Sequence, residues 1–238
     1  MQKILITGGN GFIAFNFIKM MLENDYDIVS IDNLSLSKHL NHKTINIKSD
    51  KFKFFECDIV SNDVCELIKK YKFDAIVNFA AESHVDKSIH SSNIFVDTNI
   101  KGTNNLLACC NDLIKKGDLP NNFRFIQVST DEVYGSLNKT EPAFTESSIL
   151  KPTNPYSASK ASADLIAMSY FKTHNFPVMI TRCSNNFGPY QYPEKLIPLA
   201  INNIVNNKKI PIYGNGQQIR DWIYVEDHCL GIKKVLEQ

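Results

Sequence analysis

The chain has 238 residues, of which 43% are hydrophobic and 21% are charged, and its formal net charge is +1. This length and composition predict one globular α/β domain, or one such domain with a small second lobe. The balanced charge argues against a general attraction to nucleic acid or to an anionic membrane.

The six cysteines show no C-x-x-C pair and no spacing typical of a metal site. We expect them to be small buried side chains in a reducing compartment. Gly8, Gly9 and Gly11 interrupt the apolar N-terminus before it can form a signal peptide, and no apolar run is long enough to span a bilayer. The sequence therefore predicts a cytoplasmic protein without a metal site.

Short apolar runs alternate with helical patterns along most of the chain. The predicted strands cover residues 3–7, 28–31, 52–55, 75–79, 125–129 and 178–182. The clearest helical patterns cover residues 12–22, 97–116 and 156–174. This alternation predicts a Rossmann-like, doubly wound parallel sheet. After Asn185 the pattern loosens into glycine- and proline-rich turns, which indicates a small second lobe.

A glycine-rich turn, residues 7–11, separates the first strand from the first helix. Gly8 allows the tight turn, and Gly11 lets the backbone approach a pyrophosphate held at the helix N-terminus. The third small position is Ala14, a tolerated variant of this fingerprint. The location between strand and helix predicts a dinucleotide site.

Asp32 ends the second strand, where a carboxylate can accept hydrogen bonds from both hydroxyls of an adenosine ribose. The same charge repels a 2′-phosphate, so NAD is favoured over NADP. The alternative is that Asp32 and Asn33 only form a turn. Further cofactor contacts are expected after the third and fourth strands, from Asp58, Ile59, Phe79, Ala80 and Ala81.

Tyr156 and Lys160 lie one helical turn apart. The lysine cation is expected to lower the tyrosine pKa by favouring the phenolate. Such a base can take a proton from an alcohol while hydride leaves for NAD. Tyr-x-x-x-Lys is common by chance, and it gains weight here from the glycine turn that precedes it.

Thr130, Asp131 and Glu132 follow the fifth strand, and carboxyl ends of strands line the ligand crevice in this architecture. A simple alcohol dehydrogenase or epimerase needs only a hydroxyl donor there. Two adjacent carboxyls facing a sugar provide an acid and a base, which the elimination of water requires. The alternative is a polar turn with solvated acids.

Together these motifs resemble the nucleoside-diphosphate-glucose 4,6-dehydratases of the extended short-chain dehydrogenase/reductase family, especially their dTDP-glucose branch. The resemblance runs along nearly the whole chain and includes residues 7–13, 80–86, 129–135, 155–160, 183–191, 193–198 and 220–222. The related 4-epimerases and decarboxylases share the glycine turn and Tyr-x-x-x-Lys, but they lack Thr-Asp-Glu as a unit.

The resemblance implies roles for the catalytic residues. Tyr156, helped by Thr130, takes the proton of the sugar 4-hydroxyl while hydride passes from C4 to NAD. Glu132 removes the C5 proton and Asp131 protonates the departing C6 hydroxyl. The hydride then returns to C6, so NAD is expected to behave as a bound prosthetic group.

The resemblance also implies further binding residues and a homodimer. Phe12, Ile13, Thr98 and Asn186 join the predicted cofactor site. The predicted substrate site comprises Ser83, Thr130, Asn185, Lys195, Leu196, Tyr213 and Arg220. The guanidinium of Arg220 matches phosphate oxygens. The helical stretches 97–116 and 156–174 are expected to form a four-helix bundle with a second copy.

Residues 1–186 are thus expected to form an NAD-binding domain, 187–226 a partial substrate lobe, and 227–238 a helix that returns to the first domain. Members of this family ordinarily continue further, so we expect a C-terminally truncated lobe with weaker substrate binding. Two alternatives stay open. One is another sugar-nucleotide enzyme, such as a UDP-sugar 4,6-dehydratase or a 4-epimerase. The other is an inactive, truncated NAD-binding homologue.

Overall fold

The structure is a computed structural model, and it describes residues 2–35, 47–138, 140–212 and 214–238. Its centre is a six-stranded sheet in which every neighbouring pair of strands is parallel. Strands β1 to β6 are Lys3–Thr7, Asp27–Asp32, Phe52–Glu56, Ala75–Asn78, Arg124–Thr130 and Val178–Cys183. They lie in the order β3-β2-β1-β4-β5-β6. This doubly wound order confirms the predicted Rossmann-like fold.

Helices cover both faces of the sheet, which explains why its strands are continuous apolar runs rather than alternating ones. Leu5 and Ile76 face a cluster formed with α2 (Asp63–Tyr71), α5 (Thr103–Lys115) and α6 (Pro155–His174). Ile4, Ile6 and Val77 face the opposite cluster, formed with α1 (Phe12–Glu23) and α8 (Val225–Glu237). The core is therefore a three-layer sandwich.

The predicted helix 97–116 is regular only in its second part. A π-helical segment, Val96–Gly102, precedes α5, and the short helices α3 (Val85–His90) and α4 (Asn93–Phe95) come before it. A π-helical turn inside a helix often marks a functional site, and periodicity alone cannot distinguish it from an α-helical turn. Thr98, one of the predicted cofactor contacts, lies in this segment.

Helix α6 begins with a reciprocal capping box. Asn154 Oδ1 accepts a hydrogen bond from the Ser157 N–H at 2.9 Å, and Ser157 Oγ accepts one from the Asn154 N–H at 3.2 Å. Pro155 occupies the first helical position, where a missing N–H costs nothing. These contacts fix the first turn of α6, which carries Tyr156.

The second lobe contains regular structure that the sequence did not predict. Two short parallel strands, β7 (Asn185–Phe187) and β8 (Trp222–Tyr224), pair with each other, and α7 (Leu196–Val205) lies between them along the chain. Helix α7 contains no fully buried residue, and Ile197, Pro198, Leu199 and Ala200 are half-buried. Within the described ranges, no helix is long and apolar enough to cross a membrane.

Candidate active site

A cleft opens at the carboxyl ends of β1 and β4, on either side of the point where the strand order reverses. Gly8 has φ +65°, and a Cβ atom at this position would lie 2.8 Å from the Ala80 Cα. At Gly9 a Cβ atom would lie 1.8 Å from the Ser30 hydroxyl oxygen. At Gly8 the positive φ and the Ala80 backbone favour glycine, and at Gly9 the Ser30 side chain would have to move to admit a Cβ atom. The requirement at Gly9 comes from a neighbouring strand, so the motif did not reveal it.

The structure brings most of the predicted cofactor residues together around this cleft. The lining includes Gly8, Gly11, Phe12, Ile13, Asp32, Asn33, Asp58, Ile59, Phe79, Ala80, Ala81, Thr98, Tyr156 and Lys160. Two predicted substrate residues, Ser83 and Lys195, line it as well. The first turn of α1 opens onto the same space, so its backbone N–H groups are placed to receive an anion.

Asp32 connects the glycine turn to the end of β2. Its Oδ2 accepts a hydrogen bond from the Asn10 N–H at 3.0 Å, and its Oδ1 accepts one from the Leu34 N–H at 2.8 Å. Each carboxylate oxygen can accept a second hydrogen bond. The turn role and the predicted ribose contact are therefore compatible at this residue.

Glu82 lines the cleft and was not among the predicted site residues. Its backbone is held on both sides by Asn99: the Glu82 N–H donates to Asn99 Oδ1 at 2.8 Å, and Asn99 Nδ2 donates to the Glu82 carbonyl at 3.0 Å. Burial raises the pKa of the Glu82 carboxyl. Together with Asp32 and Asp58 it gives this end of the cleft three carboxyl groups.

Thr130, the last residue of β5, organises the two predicted acids, which lie in a 3-10 turn at Asp131–Tyr134. Thr130 Oγ1 accepts a hydrogen bond from the Glu132 N–H at 3.3 Å and lies 3.3 Å from Asp131 Oδ1. Burial raises the pKa of both carboxyls. The acids are thus partly withdrawn from solvent, which favours proton transfer over a solvated turn.

Tyr156 lies beside these acids, and its electrostatics differ from the expectation. Lys160 Nζ donates to the Val128 carbonyl at 2.7 Å. Burial raises the pKa of Tyr156, and Glu132 and Cys183 raise it further. The expectation that Lys160 lowers this pKa is therefore wrong for the chain by itself, because burial and neighbouring acids dominate.

Of the predicted substrate residues in the second lobe, Lys195 lines the cleft, whereas Asn185, Leu196 and Arg220 do not. The positive charges of Lys195 and Arg220 nevertheless act on Glu132 and oppose the rise of its pKa. Tyr213 lies outside the described residues. The substrate roles of these side chains stay predictions.

Asn186 does not line the cleft either. Its Nδ2 donates to the Ser184 carbonyl at 3.0 Å, and its Oδ1 lies 2.9 Å from Nδ1 of the buried His228. Burial lowers the pKa of His228 to about 4, so the imidazole is neutral at neutral pH. The Asn186 amide is thus turned toward α8, and its predicted cofactor contact is untested.

A segment of residues 188–195, which we call the strap, crosses the cleft from the second lobe. Gln191, Tyr192 and Lys195 contribute to the lining. The strap is tied to α1, because Asn16 Nδ2 donates to the Pro189 carbonyl at 3.0 Å and the Tyr190 ring lies 4.8 Å from that of Phe15. Sequence reasoning missed this cover, which depends on contacts between distant parts of the chain.

Comparison with known proteins agrees with this architecture. The family model for GDP-mannose 4,6 dehydratase matches residues 5–238. The dTDP-glucose 4,6-dehydratase of Neisseria meningitidis serogroup B is 42% identical over 242 residues, which cover 100% of this chain and 68% of the relative.

Two solved structures extend the comparison. A dTDP-glucose 4,6-dehydratase from Bacillus anthracis, in complex with NAD, is 46% identical with a TM-score of 0.87, covering 100% of this chain and 72% of the other. A UDP-glucuronic acid 4-epimerase from Bacillus cereus, in complex with UDP-glucuronic acid and NAD, is 30% identical with a TM-score of 0.87, covering 99% and 73%. By sequence and structure, this chain therefore belongs to the nucleoside-diphosphate-sugar 4,6-dehydratases of the extended short-chain dehydrogenase/reductase family.

Proposed function

We propose that the protein dehydrates a nucleoside-diphosphate glucose, preferably dTDP-glucose, to the 4-keto-6-deoxy sugar. The observation that carries this proposal is the pair Asp131 and Glu132 beside Tyr156. The pKa of both carboxyls is raised by burial, so each can exchange a proton nearer to neutral pH than a solvated acid can. An acid and a base next to a tyrosine that takes the proton of the hydroxyl being oxidised are what the elimination of water requires.

The cofactor we propose is NAD. The cleft fits this cofactor for two reasons. The turn after β1 packs so closely on Ala80 that a Cβ atom at Gly8 would lie 2.8 Å from the Ala80 Cα, and the N-terminus of α1 opens onto the same space. Asp32 at the ribose end disfavours a 2′-phosphate. When bound, NAD supplies the acceptor for the C4 hydride and the donor that returns it to C6.

The side chains then divide the proton transfers. Tyr156 takes the proton of the 4-hydroxyl, helped by Thr130, whose hydroxyl forms a hydrogen bond with Tyr156. The 4-ketone acidifies the C5 proton, which Glu132 removes. Asp131 protonates the C6 hydroxyl as it leaves, and Glu132 finally reprotonates C5. Lys195 and Arg220 hold the diphosphate, and their charges act on Glu132 as well.

Incubation of the purified chain with dTDP-glucose and, separately, UDP-glucose tests the proposal. We expect a product lighter by one water, with a C6 methyl group visible by proton NMR, and faster turnover of the dTDP sugar. The Asp131→Asn/Glu132→Gln variant is the matched control. No dehydrated product from either sugar, with NAD bound, would overturn the proposal.

Two other functions are separated by the same assay. A 4-epimerase, supported by the structural likeness to the Bacillus cereus enzyme, changes the configuration at C4 without loss of water. An inactive NAD-binding homologue leaves both sugars unchanged while it retains the cofactor. The Asp131–Glu132 pair favours dehydration over both, since neither alternative needs two acids at this place.

We also propose a division of the chain: residues 1–186 bind the cofactor, residues 187–226 cover the substrate, and residues 227–238 pack against the first domain. The proposed location of the protein is the cytoplasm. The packing of α8 against α1 supports the last division, because Cys229, Ile232 and Leu236 belong to the same core cluster as Phe17. Exchange of residues 187–226 for those of a UDP-specific relative should change the preferred nucleotide and leave NAD binding intact.

A homodimer through a four-helix bundle of α5 and α6 is a further proposal. The outer face of α6 exposes Leu165, Met168 and Phe171 by 43–55%. Large apolar side chains in one patch are typical of protein–protein interfaces. Light scattering of the wild type should give twice the monomer mass, and Leu165→Glu/Met168→Glu should give the monomer mass. A monomeric wild type at micromolar concentration would contradict the proposal.

A further inference from the structure

A buried carboxylate lies directly behind the catalytic pair of α6. Tyr156, Lys160 and Asp164 follow one another at intervals of four residues, so they share one face of the helix. Lys160 is 4% exposed and Asp164 is fully buried. The proposed reaction uses Tyr156 as the proton acceptor, with Lys160 one turn further along the helix, whereas Asp164 has no part in it and is too far inside to touch a substrate.

Asp164 is held by an arginine from the neighbouring strand. Its Oδ2 accepts a hydrogen bond from Arg182 Nε on β6 at 2.8 Å. Arg182 is fixed in turn by Tyr134, because Arg182 Nη1 donates to the Tyr134 hydroxyl at 2.7 Å. Asp164 Oδ1 is buried without a hydrogen-bond partner among the described residues. The nearby Ser129 hydroxyl and the charges of Lys160 and Arg182 all act on this carboxylate and oppose the rise of its pKa.

The buried charges around Asp164 comprise two cations and one carboxylate. Two cations, Lys160 and Arg182, act on this one carboxylate and oppose the rise of its pKa that burial causes. Burial also lowers the pKa of Lys160, and Asp164 is the largest influence in the other direction. A buried ammonium group without a counter-ion loses its proton. Lys160 is thus influenced at longer range by a carboxylate whose direct ion pair, at 2.8 Å, is with Arg182.

Other groups around Lys160 cannot take this role. Val128 on β5 offers a neutral carbonyl at 2.7 Å. Cys183 on β6 faces both Lys160 and Tyr156, but burial raises the pKa of its thiol to about 11, so it is neutral at neutral pH. Glu132 and Asp131 act on Tyr156. Across the described part of the chain, Asp164 is the one carboxylate that acts on Lys160.

We propose that Asp164 is a positioning residue for the reaction: it is the buried counter-ion that keeps Lys160 charged beside Tyr156, and Arg182 competes with Lys160 for it. This inference rests on the proposed function, since the charge of Lys160 matters for turnover only if Tyr156 exchanges a proton with the substrate. Asp164 acts through the lysine alone.

Two substitutions that break the same ion pair should have different effects on Lys160. Asp164→Asn keeps the shape and removes the anion, which leaves two buried cations. Arg182→Gln removes the competing cation and leaves the anion to Lys160. A merely structural ion pair would make both variants behave alike, with similar losses of thermal stability and no divergence at the lysine.

The direct measurement is a pH titration of the Lys160 Cε resonance in protein labelled with ¹³C-lysine, assigned by its loss in Lys160→Met. We expect Asp164→Asn to lower the midpoint by roughly 1 to 3 pH units, as for the loss of a neighbouring opposite charge. Arg182→Gln should leave it unchanged or raise it. A midpoint that Asp164→Asn does not lower, or that Arg182→Gln also lowers, overturns the inference.

This titration needs no substrate, so it separates the inference from the proposed function. If the wild type fails to dehydrate any sugar, the proposed function fails and the titration still decides the role of Asp164. If the wild type is active, the turnover lost in Asp164→Asn should grow as pH rises, because Lys160 deprotonates earlier. If Asp164→Asn does not fold, Asp164→Glu should retain the wild-type midpoint, and a lowered midpoint there or in Arg182→Gln overturns the inference.

Discussion

The six-stranded sheet and the small second lobe place their side chains in different ways. In the sheet, Ile4, Leu5 and Ile6 are fully buried between two helical layers. In the lobe, α7 buries no residue, and Ile204 and Val205 are exposed by 61% and 75%. The acid pair and Tyr156 are thus held by a packed core, whereas Arg220 lies on a surface with few such restraints. Chemistry and substrate binding should therefore respond separately to substitution.

The largest expected effect tests the packed half. Asp131→Asn/Glu132→Gln should lower dehydration by at least about 10²–10⁴-fold, since the acid and the base are removed, and leave NAD bound. Turnover and cofactor content of the purified variant are the measurements. Loss of NAD together with activity would show that these two side chains have a structural role instead.

The same variant makes a prediction about stability. The pKa of both carboxyls is raised in the folded state, so their ionisation favours the unfolded chain and costs stability once the pH exceeds their folded pKa. Neutral amides avoid this cost. The variant should melt at or above the wild-type temperature at pH 7, and this advantage should disappear below about pH 4, where both carboxyls are protonated.

The next effect tests the cofactor end of the sheet. Asp32→Ala should weaken NAD binding by roughly 10–100-fold, in line with the loss of hydrogen bonds to a charged group, and reduce the preference over NADP. It should also lower the melting temperature, because Asp32 holds the N–H groups of Asn10 and Leu34. Unchanged affinities for both cofactors in titrations would place Asp32 outside the ribose site.

A smaller effect tests the lobe. Arg220→Ala should raise the KM for the nucleotide sugar about tenfold, through lost charged hydrogen bonds, with a smaller change in kcat and none in NAD content. Arg220→Lys should recover part of the loss, since the charge returns without the planar fork. Lys208→Ala, an exposed lysine of the same lobe, is the matched control. A fall in kcat at constant KM would move Arg220 into the chemistry.

The difference in burial between the sheet and the second lobe also explains why the sequence predicted the sheet well and the lobe poorly. The strands of the sheet are buried on both faces, so each is a continuous apolar run that can be recognised in the sequence without knowledge of the elements that pack against it. Most residues predicted to bind the cofactor follow strand ends, and the parallel order brings those ends together at one cleft. Helix α7 has no fully buried residue. Strands β7 and β8 are three residues each, which is too short for a recognisable strand pattern.

Other features depend on partners that are distant in sequence. The contact of Gly9 with Ser30 and the ion pair of Asp164 with Arg182 join different elements. The raised pKa of Tyr156 follows from its burial near Glu132 rather than from the spacing to Lys160. Spacing along a helix predicts which side chains are neighbours, but it does not predict which charge dominates.

The smallest expected effect tests the strap that joins the two regions. Tyr190 packs edge-on against Phe15 of α1, and Lys19 Nζ lies 3.4 Å from its hydroxyl. Aromatic pairs of this kind contribute about 0.5–1.5 kcal/mol, so Tyr190→Ala should release bound NAD about 2–10-fold faster. Tyr190→Phe keeps the ring and should behave almost like the wild type, because the Lys19 contact is exposed. The measurement is the rate at which NAD leaves the protein after dilution into an NAD-consuming enzyme.

The strap continues into Lys195, which lines the cleft and acts on Glu132. Because one segment then serves both ligands, Tyr190→Ala should raise the KM for the sugar by a factor similar to the increase in the NAD release rate. A raised KM with unchanged NAD release would assign the strap to the substrate lobe alone. Unchanged values for both would show that the contact of Tyr190 with α1 does not hold the cleft closed.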